Sequence, residues 1–414
     1  MASDKYRVLT NCRVCGGKKL QQYLDLGKMP LANNLITKNE IAAEEKFPLQ
    51  VLYCSGCSFS QLSIIVNPDI MFRNYVYRSS ISKFFQNHCK EWASELNEKL
   101  LTKDDLVIDI ASNDGCLLQE FKREGNRVLG IDPAINLAKI ANEQGIETLP
   151  QYWNPKLAEK IVEKYGKAKA IIAVNVFAHI DDLHSMVEGV NVALADGGYF
   201  MIESPHLLSL IKKTEFDTIY HEHLSYLMVG PLQKLMEGHK MRIAKVKKYD
   251  IHGGSIRMYV EKESSPNTSD GSVQQIIREE KDAGLYEFSN YINFKNDVEK
   301  IKKDLTTLLK KLKKEGKTIA AFGASAKGNT LLNYCNITTQ IDCIFDDTPQ
   351  KIGKLYPGVH IPIVAGSELL KRKPDYLLLL AWNFAKEIMQ KTSEYKKAGG
   401  KYIIPIPKVE VVEK

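Results

Sequence analysis

The sequence predicts an α/β protein of three parts: an N-terminal four-cysteine zinc module, a central Rossmann-like unit and a second Rossmann-like unit at the C-terminal end. Two C-x-x-C pairs lie close to the start of the chain. Two separate strand–turn–helix patterns begin near Leu106 and Thr318, and in each an acidic residue closes the strand that follows. A chain of 414 residues is long enough to bury two or three separate cores.

Composition narrows the function classes. The hydrophobic share of 44% and charged share of 26% are those of a soluble globular protein. Lys and Arg number 57 against 50 Asp and Glu, a net charge of +7. Much of the excess sits in a helical pattern at 299–317, which reads as a solvated face and not a nucleic-acid stripe. The balance still favours anionic small ligands such as nucleotides. The start, Met1 to Tyr6, lacks the apolar segment of a signal peptide, and the run Leu377 to Trp382 is too short to span a bilayer. The expectation is a cytoplasmic protein with neither nucleic acid nor membrane as partner. Eight cysteines in so long a chain do not make a disulfide scaffold.

Cys12, Cys15, Cys54 and Cys57 form the two pairs, and two such knuckles complete a tetrahedral zinc site. With all four positions filled by protein, the metal is structural and has no open position for chemistry. A redox C-x-x-C fits less well, because the motif occurs twice and no thioredoxin-like pattern follows it. Cys89, Cys116, Cys335 and Cys343 read as ordinary buried thiols. Tyr75 to Ser80, with alternating aromatic and hydroxyl groups, reads as a connecting strand or a segment closing over a ligand.

A helix pattern at 82–101 leads into the apolar run Leu106–Ile110, a buried parallel strand. The turn Ala111-Ser112-Asn113-Asp114-Gly115 and a helix from Cys116 follow, so backbone N–H groups come up to a ligand. Only Gly115 remains of the three glycines of a dinucleotide turn, which weakens a pyrophosphate reading. The next strand, Arg127–Ile131, ends in Asp132-Pro133, where an acidic side chain accepts hydrogen bonds from ribose hydroxyls. A ribose without a required pyrophosphate suggests S-adenosylmethionine. Tyr152 and Trp153 read either as flanking an adenine or as ordinary packing. A strand at 169–174 delivers Asn175 to the carboxyl edge of the sheet. A helix at 181–195, a turn at Asp196-Gly197-Gly198 and a strand Tyr199–Ile202 place Glu203 to His206 at the same edge. Tyr220-His221-Glu222-His223 follows, four groups that move protons or hold charge. Position 225 is Ser, so this is not an H-E-x-x-H zinc motif, although a strand-borne H-x-H metal pair stays open.

Residues 264–270 read as a linker after a strand at 255–260, and a long charged helix is expected over roughly 272–315. The strand Thr318–Phe322 then opens into Gly323-Ala324-Ser325-Ala326-Lys327-Gly328-Asn329-Thr330, suited to hold a phosphate on N–H groups. Asn329 stands where a P-loop needs Lys, which disfavours an ATPase. A strand at 341–345 ends in Asp346 and leads to Lys351, and Trp382 and Asn383 follow the strand Tyr376–Leu380. On these features alone, NAD binding here is the main rival.

The chain resembles the nucleotide-sugar C-methyltransferases that branch deoxysugars, and the resemblance covers nearly the whole sequence. It rests on the two C-x-x-C pairs, Tyr75 to Ser79, Asp109 to Gly115, Asn175-Val176-Phe177, Tyr220 to His223, His252-Gly253-Gly254-Ser255 and Gly323 to Asn329. Ala111 stands where that family often has Gly, and Arg78-Ser79-Ser80-Ile81 is not its commonest form; both bear on pocket shape. The resemblance implies a zinc module at 1–70, a class I S-adenosylmethionine-dependent methyltransferase domain at 71–265 and a Rossmann-like domain for the sugar nucleotide at 266–414. It implies a nucleoside-diphosphate-linked 4-keto-6-deoxysugar as substrate, methylated at C3 through an enolate.

The implied base is His223, with Tyr220 and Glu222 as supports and Asn175 near the reacting centre. Tyr77, Asp109, Ala111, Asn113, Gly115, Asp132 and Pro133 are the implied cofactor residues. Ser255, Gly323, Ser325, Lys327, Asn329, Asp346 and Lys351 are those for the substrate. His221 has no assigned role. The rivals are an NAD(P)-dependent sugar-nucleotide oxidoreductase, a zinc-ribbon nucleic-acid methyltransferase and a non-catalytic sugar-nucleotide sensor. Three such parts are compatible with a monomer.

Overall fold

The computed structural model describes residues 5–75, 77–251, 253–266 and 270–413. Val76, His252, residues 267–269 of the expected linker and residues 1–4 of the expected leaderless start lie outside the described residues.

The central sheet has seven strands. In chain order they are Leu106–Ile110, Arg127–Ile131, Thr148–Leu149, Ala168–Val174, Leu194–Pro205, Met241–Tyr249 and Ser255–Lys262, and they lie side by side as 3-2-1-4-5-7-6. The first five run parallel, and the seventh is antiparallel to both neighbours. All five side chains of Leu106–Ile110 are buried, as a strand covered by helices on both faces requires. This is the class I methyltransferase sheet.

The expected turn at Asp196-Gly197-Gly198 is instead part of the strand Leu194–Pro205. The two glycines absorb a register shift between Leu194 and Tyr199, with Gly197 at φ +68°. The strand therefore continues to Pro205, and Glu203 and Ser204 are buried inside the sheet rather than beyond its end.

The C-terminal sheet has six strands, Ile319–Phe322, Ile344–Asp346, Ile363–Ala365, Tyr376–Leu379, Lys401–Ile404 and Glu410–Val412, in the order 3-2-1-4-5-6. Only the last is antiparallel to its neighbour. Both sheets thus reverse their order between strands 1 and 4, the place where open α/β sheets bind ligands. The long helix expected before this sheet is two, Ser272–Asp282 and Phe288–Lys314, divided at Gly284 with φ +69°.

The N-terminal module contributes the strands Leu20–Met29, Phe47–Cys54 and Ser60–Leu62 to an antiparallel sheet whose fourth strand is Ser225–Tyr226. The residues just after Tyr220–His223 are therefore part of the module's sheet. One apolar cluster runs from Tyr23 and Leu49 of the module through Phe216 to Tyr291 and Phe294 of the long helix. These contacts seat the module between the two α/β units.

Candidate active site

The carboxyl edges of the two α/β sheets share a cavity of about 740 Å³. On its central-sheet side it is lined by Asp109, Ala111, Asn113, Asp132, Pro133, Tyr152, Trp153 and Asn175, and on its C-terminal side by Ser325, Lys327, Lys351 and Asn383. Tyr75, Tyr77, His179, Tyr220 and His223 complete the wall.

The central turn is built by backbone conformation. Ala111 and Asn113 take φ +60° and +54°, left-handed values that side-chain-bearing residues seldom adopt, so the family's frequent glycine at 111 has a physical reason. Asp132 holds the turn: Oδ2 accepts from Asn113 N at 2.8 Å and Oδ1 from Ala134 N at 2.8 Å. Burial pushes its carboxyl up to about 6, against the pull of those two N–H groups. Asp109 is 4% exposed, and burial, followed by the Asp132 and Cys116 charges, raises it well above the carboxylate range. With Asp132 it gives this end of the cavity two carboxyl groups, of which Asp132 at the end of its strand suits a ribose.

The Asn113 side chain faces the other way. Its Oδ1 accepts from Ser79 N at 2.9 Å and its Nδ2 donates to Tyr77 O at 3.1 Å, while Ser80 Oγ donates to Asp114 Oδ2. These bonds tie the Tyr77–Ser80 segment to the turn. Gly115, with φ +79°, caps the helix Cys116–Arg123 and lies off the cavity wall.

The C-terminal turn repeats the device. Asp346 Oδ2 accepts from Ala324 N at 2.7 Å and Oδ1 from Thr348 N at 2.8 Å. Ser325 caps the helix Ala326–Tyr334 by accepting from Gly328 N. Two lysines face the cavity here. Lys351 Nζ donates to Ala324 O at 2.8 Å and lies 3.5 Å from Asp346. Lys327 Nζ lies 3.5 Å from Glu215 and 5.3 Å from the Trp382 ring centroid, with no hydrogen-bond partner among the described residues. Gly323, Asn329 and Asp346 lie behind the wall, Asn329 donating to Pro357 O at 2.9 Å. Ser255 is buried in the central sheet, donating to Ile251 O at 3.1 Å, and does not reach the cavity.

Between the turns, four rings form a column. Phe72 stacks on His179 at 5.8 Å and 16°, His179 lies 5.0 Å from His223, and His223 lies 4.0 Å from Tyr220. His223 Nδ1 donates to Thr218 O at 2.7 Å, which puts the lone pair on Nε2. Burial pushes His179 down to about 4, so it is a neutral ring at ordinary pH. Glu222 is off the cavity wall: its Oε2 accepts from Tyr75 Oη at 2.8 Å and its Oε1 from Asn33 Nδ2 at 2.6 Å. Burial raises its carboxyl, and those two donors oppose the rise. Asn175, at φ +52°, donates its N–H to Glu203 O at 2.7 Å while its Oδ1 has no partner among the described residues.

His221 is directed away from the cavity. It sits 2% exposed with Nε2 3.3 and 3.2 Å from the carbonyls of Phe47 and Pro48, and burial pushes its pKa down to about 4. It fastens the segment to the module, and the possible His221–His223 metal pair is not assembled, since His223 is on the cavity wall.

The four cysteine sulfurs lie within 4.8 Å of one another, a closed donor set that fits one tetrahedral zinc. Between two of them stands Arg13, whose guanidinium Nη1 donates to the carbonyls of Ile180 and Asp181 at 3.2 and 3.0 Å. The knuckle therefore grips the chain directly after His179. Sequence reasoning missed His179, Asn33 and Arg13. His179 had a usable signal, because it stands one helical turn beyond Asn175 at the same sheet edge.

Family profiles match residues 12–72 ("Putative zinc binding domain"), 81–243 ("Methyltransferase domain") and 250–407 ("C-methyltransferase C-terminal domain"). The chain is 36% identical to C-methyltransferase NovU of Streptomyces niveus, over 99% of this chain and 98% of that protein. A ubiquinone biosynthesis O-methyltransferase of Methylobacterium sp. (strain 4-46) is 30% identical over 23% of this chain and 38% of its own length. The solved magnesium protoporphyrin IX methyltransferase of Synechocystis, with bound SAM, is 14% identical over 42% of this chain and 78% of its own, with a TM-score of 0.32. No helix among the described residues is long and apolar enough to cross a membrane.

Proposed function

The chain belongs to the C-methyltransferase family, and from that premise we propose that it methylates C3 of a nucleoside-diphosphate-linked 4-keto-6-deoxysugar. The observation that carries the proposal is the place of His223, whose ring lines the cavity between two dissimilar ligand turns and is anchored by Nδ1 donating to Thr218 O.

S-Adenosylmethionine, when bound, supplies a methyl group on a positively charged sulfur. The chain's own residues do the rest. Asp132 takes the ribose hydroxyls, and Asp109 faces the cationic end. Lys327 and Lys351 meet the diphosphate. A hydrogen on C3 is acidified by the adjacent ketone, and His223 Nε2 removes it, a step for which a positioned base contributes about 10²- to 10⁴-fold. Tyr220 packs on the His223 ring and keeps it in place. Glu222 acts on the cavity through Tyr75. The deprotonated sugar carbon is then held in line with the methyl group, and this positioning lowers the barrier further. The zinc site takes no part in the transfer.

The test is incubation of the protein with S-adenosylmethionine and a panel of 4-keto nucleotide sugars, read by mass. One member gaining a single methyl group is the expected result. Methylation of a nucleic acid, or methylation on oxygen, would displace the proposal.

A further inference from the structure

The turn Phe216–Thr218 stands directly before Tyr220–His223, and it is held from the C-terminal α/β unit. The helix Ala326–Tyr334, which opens from that unit's ligand turn, lays one face along it, because Lys327, Thr330 and Tyr334 are spaced three and four residues apart. Lys327 Nζ lies 3.5 Å from Glu215 Oε2, Thr330 Oγ1 donates to Ile219 O at 3.0 Å, and the Tyr334 ring meets that of Phe216 edge-on at 5.4 Å. Trp382, just beyond the strand Tyr376–Leu379, donates from Nε1 to Asp217 Oδ2 at 2.6 Å. Four of the five residues 215–219 are thus engaged from one unit. The fifth, Thr218, gives its carbonyl to His223 Nδ1 at 2.7 Å. Asp217 is fully buried, and neither it nor Trp382 is on the cavity wall.

We propose that Asp217 and Trp382 are positioning residues for His223, acting through the Thr218 carbonyl, so that the unit facing the sugar nucleotide also aims the group that deprotonates it. A hydrogen bond from Nδ1 decides which ring nitrogen carries the proton and where Nε2 points. The accepting carbonyl belongs to the residue next to Asp217, so the Trp382 bond fixes the acceptor's direction, and with it the ring's. Because neither side chain is on the cavity wall, the effect passes through His223 and not through contact with a ligand. Base and sugar are thereby referred to one frame, the C-terminal unit, while the methyl donor is held at the edge of the central sheet. Proton removal then depends on the C-terminal unit, and methyl transfer on both.

The proposal rests on His223 being the base, and two measurements keep the two apart. The first needs no substrate. In full-length, zinc-loaded protein carrying isotope-labelled histidine, NMR follows the His223 Nδ1 proton, assigned by its loss in His223→Asn. It is expected to resist exchange with water in the native protein and in Asp217→Asn, whose amide oxygen still accepts from Trp382, and to exchange in Asp217→Ala and Trp382→Phe. The second measurement is exchange of the C3 hydrogen of a 4-keto nucleotide sugar into heavy water with S-adenosylhomocysteine bound. Asp217→Ala and Trp382→Phe should slow it by roughly 10- to 100-fold, with Asp217→Asn near native, and with half-saturating sugar and S-adenosylhomocysteine affinity unchanged. No exchange by the native protein would refute the base reading, and the ring signal alone then decides whether Asp217 and Trp382 position His223. An altered ring signal without slower exchange, or slower exchange without an altered ring signal, would overturn the proposal. So would equal losses in Asp217→Asn and Asp217→Ala. If Asp217→Ala and Trp382→Phe do not fold, Thr330→Val, which removes the hydroxyl bond to Ile219 O, is measured in their place, and native behaviour in it counts against the proposal.

Discussion

The two ligand turns, one at each sheet edge, are built alike and charged differently. In both, a strand ends in a turn, and an aspartate from the next strand accepts two backbone N–H groups: Asp132 from Asn113 and Ala134, Asp346 from Ala324 and Thr348. The central turn then offers the cavity carboxyl groups, Asp109 and Asp132, whereas the C-terminal turn offers Lys327 and Lys351. One backbone device has thus been given carboxyl groups on one side and ammonium groups on the other, which under the proposed function suits the methyl donor's ribose at one end and an anionic substrate at the other. The shared scaffold explains why an oxidoreductase was a serious rival on sequence alone, and the side chains explain why the two ends are not interchangeable.

Removing the group between the turns breaks the account most severely. His223→Asn should lower turnover by about 10²- to 10⁴-fold in a methyl-transfer assay, while calorimetry shows unchanged S-adenosylhomocysteine binding. At the C-terminal turn, Lys327→Met should raise KM for the nucleotide sugar by roughly 10- to 100-fold, the loss of one charge-assisted hydrogen bond, with affinity for S-adenosylhomocysteine intact. If both ligands weaken equally, the division between the turns is wrong.

At the central turn the sharper test is pH. Burial raises Asp132 to about 6 from an ordinary 3.8, so the unliganded protein gains stability as pH falls through 6 and loses it as pH rises. Ligand binding runs the other way, because a ribose is held by the ionised carboxylate. Affinity for S-adenosylhomocysteine should therefore fall as pH drops below about 6, and Asp132→Asn should bind about tenfold more weakly at neutral pH, with that inflection gone. The smallest effect is expected at Arg13→Ala: zinc content unchanged and turnover reduced a few-fold, because the chain after His179 loses two carbonyl contacts. Loss of zinc in that variant would mean that Arg13 serves the metal and not the ring column.

The turns were legible in the sequence because strand ends are local. Apolar runs fix where a strand stops, and the residues that follow must meet at the sheet edge, so the pattern alone puts Asp132 and Asn175 there, whereas Asp109, Lys327 and Lys351 took their roles from the family resemblance. What holds the Tyr220–His223 segment could not be read this way. Glu222 is held by Asn33, His221 by Phe47 and Pro48, and Trp382 Nε1 donates to Asp217 at 2.6 Å, all pairings between residues far apart in the chain. No periodicity in the sequence encodes such pairings. The assignment of Glu222 beside His223 came from its neighbour in sequence, but Tyr220–His223 is a turn, in which His223 N donates to Tyr220 O at 2.9 Å, and it leaves His223 on the cavity wall and Glu222 behind it. The double glycine at 197–198 was ambiguous for a related reason: a turn and a bulge want the same residues, and only strand pairing distinguishes them.

The central claim is that His223 takes a proton from the sugar carbon before any methyl group moves. It is tested most directly by incubating the 4-keto nucleotide sugar in heavy water with S-adenosylhomocysteine in place of the methyl donor, and following C3 by NMR. The account predicts that the native protein washes deuterium into C3 and that His223→Asn, still binding both ligands, does not. Exchange at the native rate in His223→Asn would contradict it.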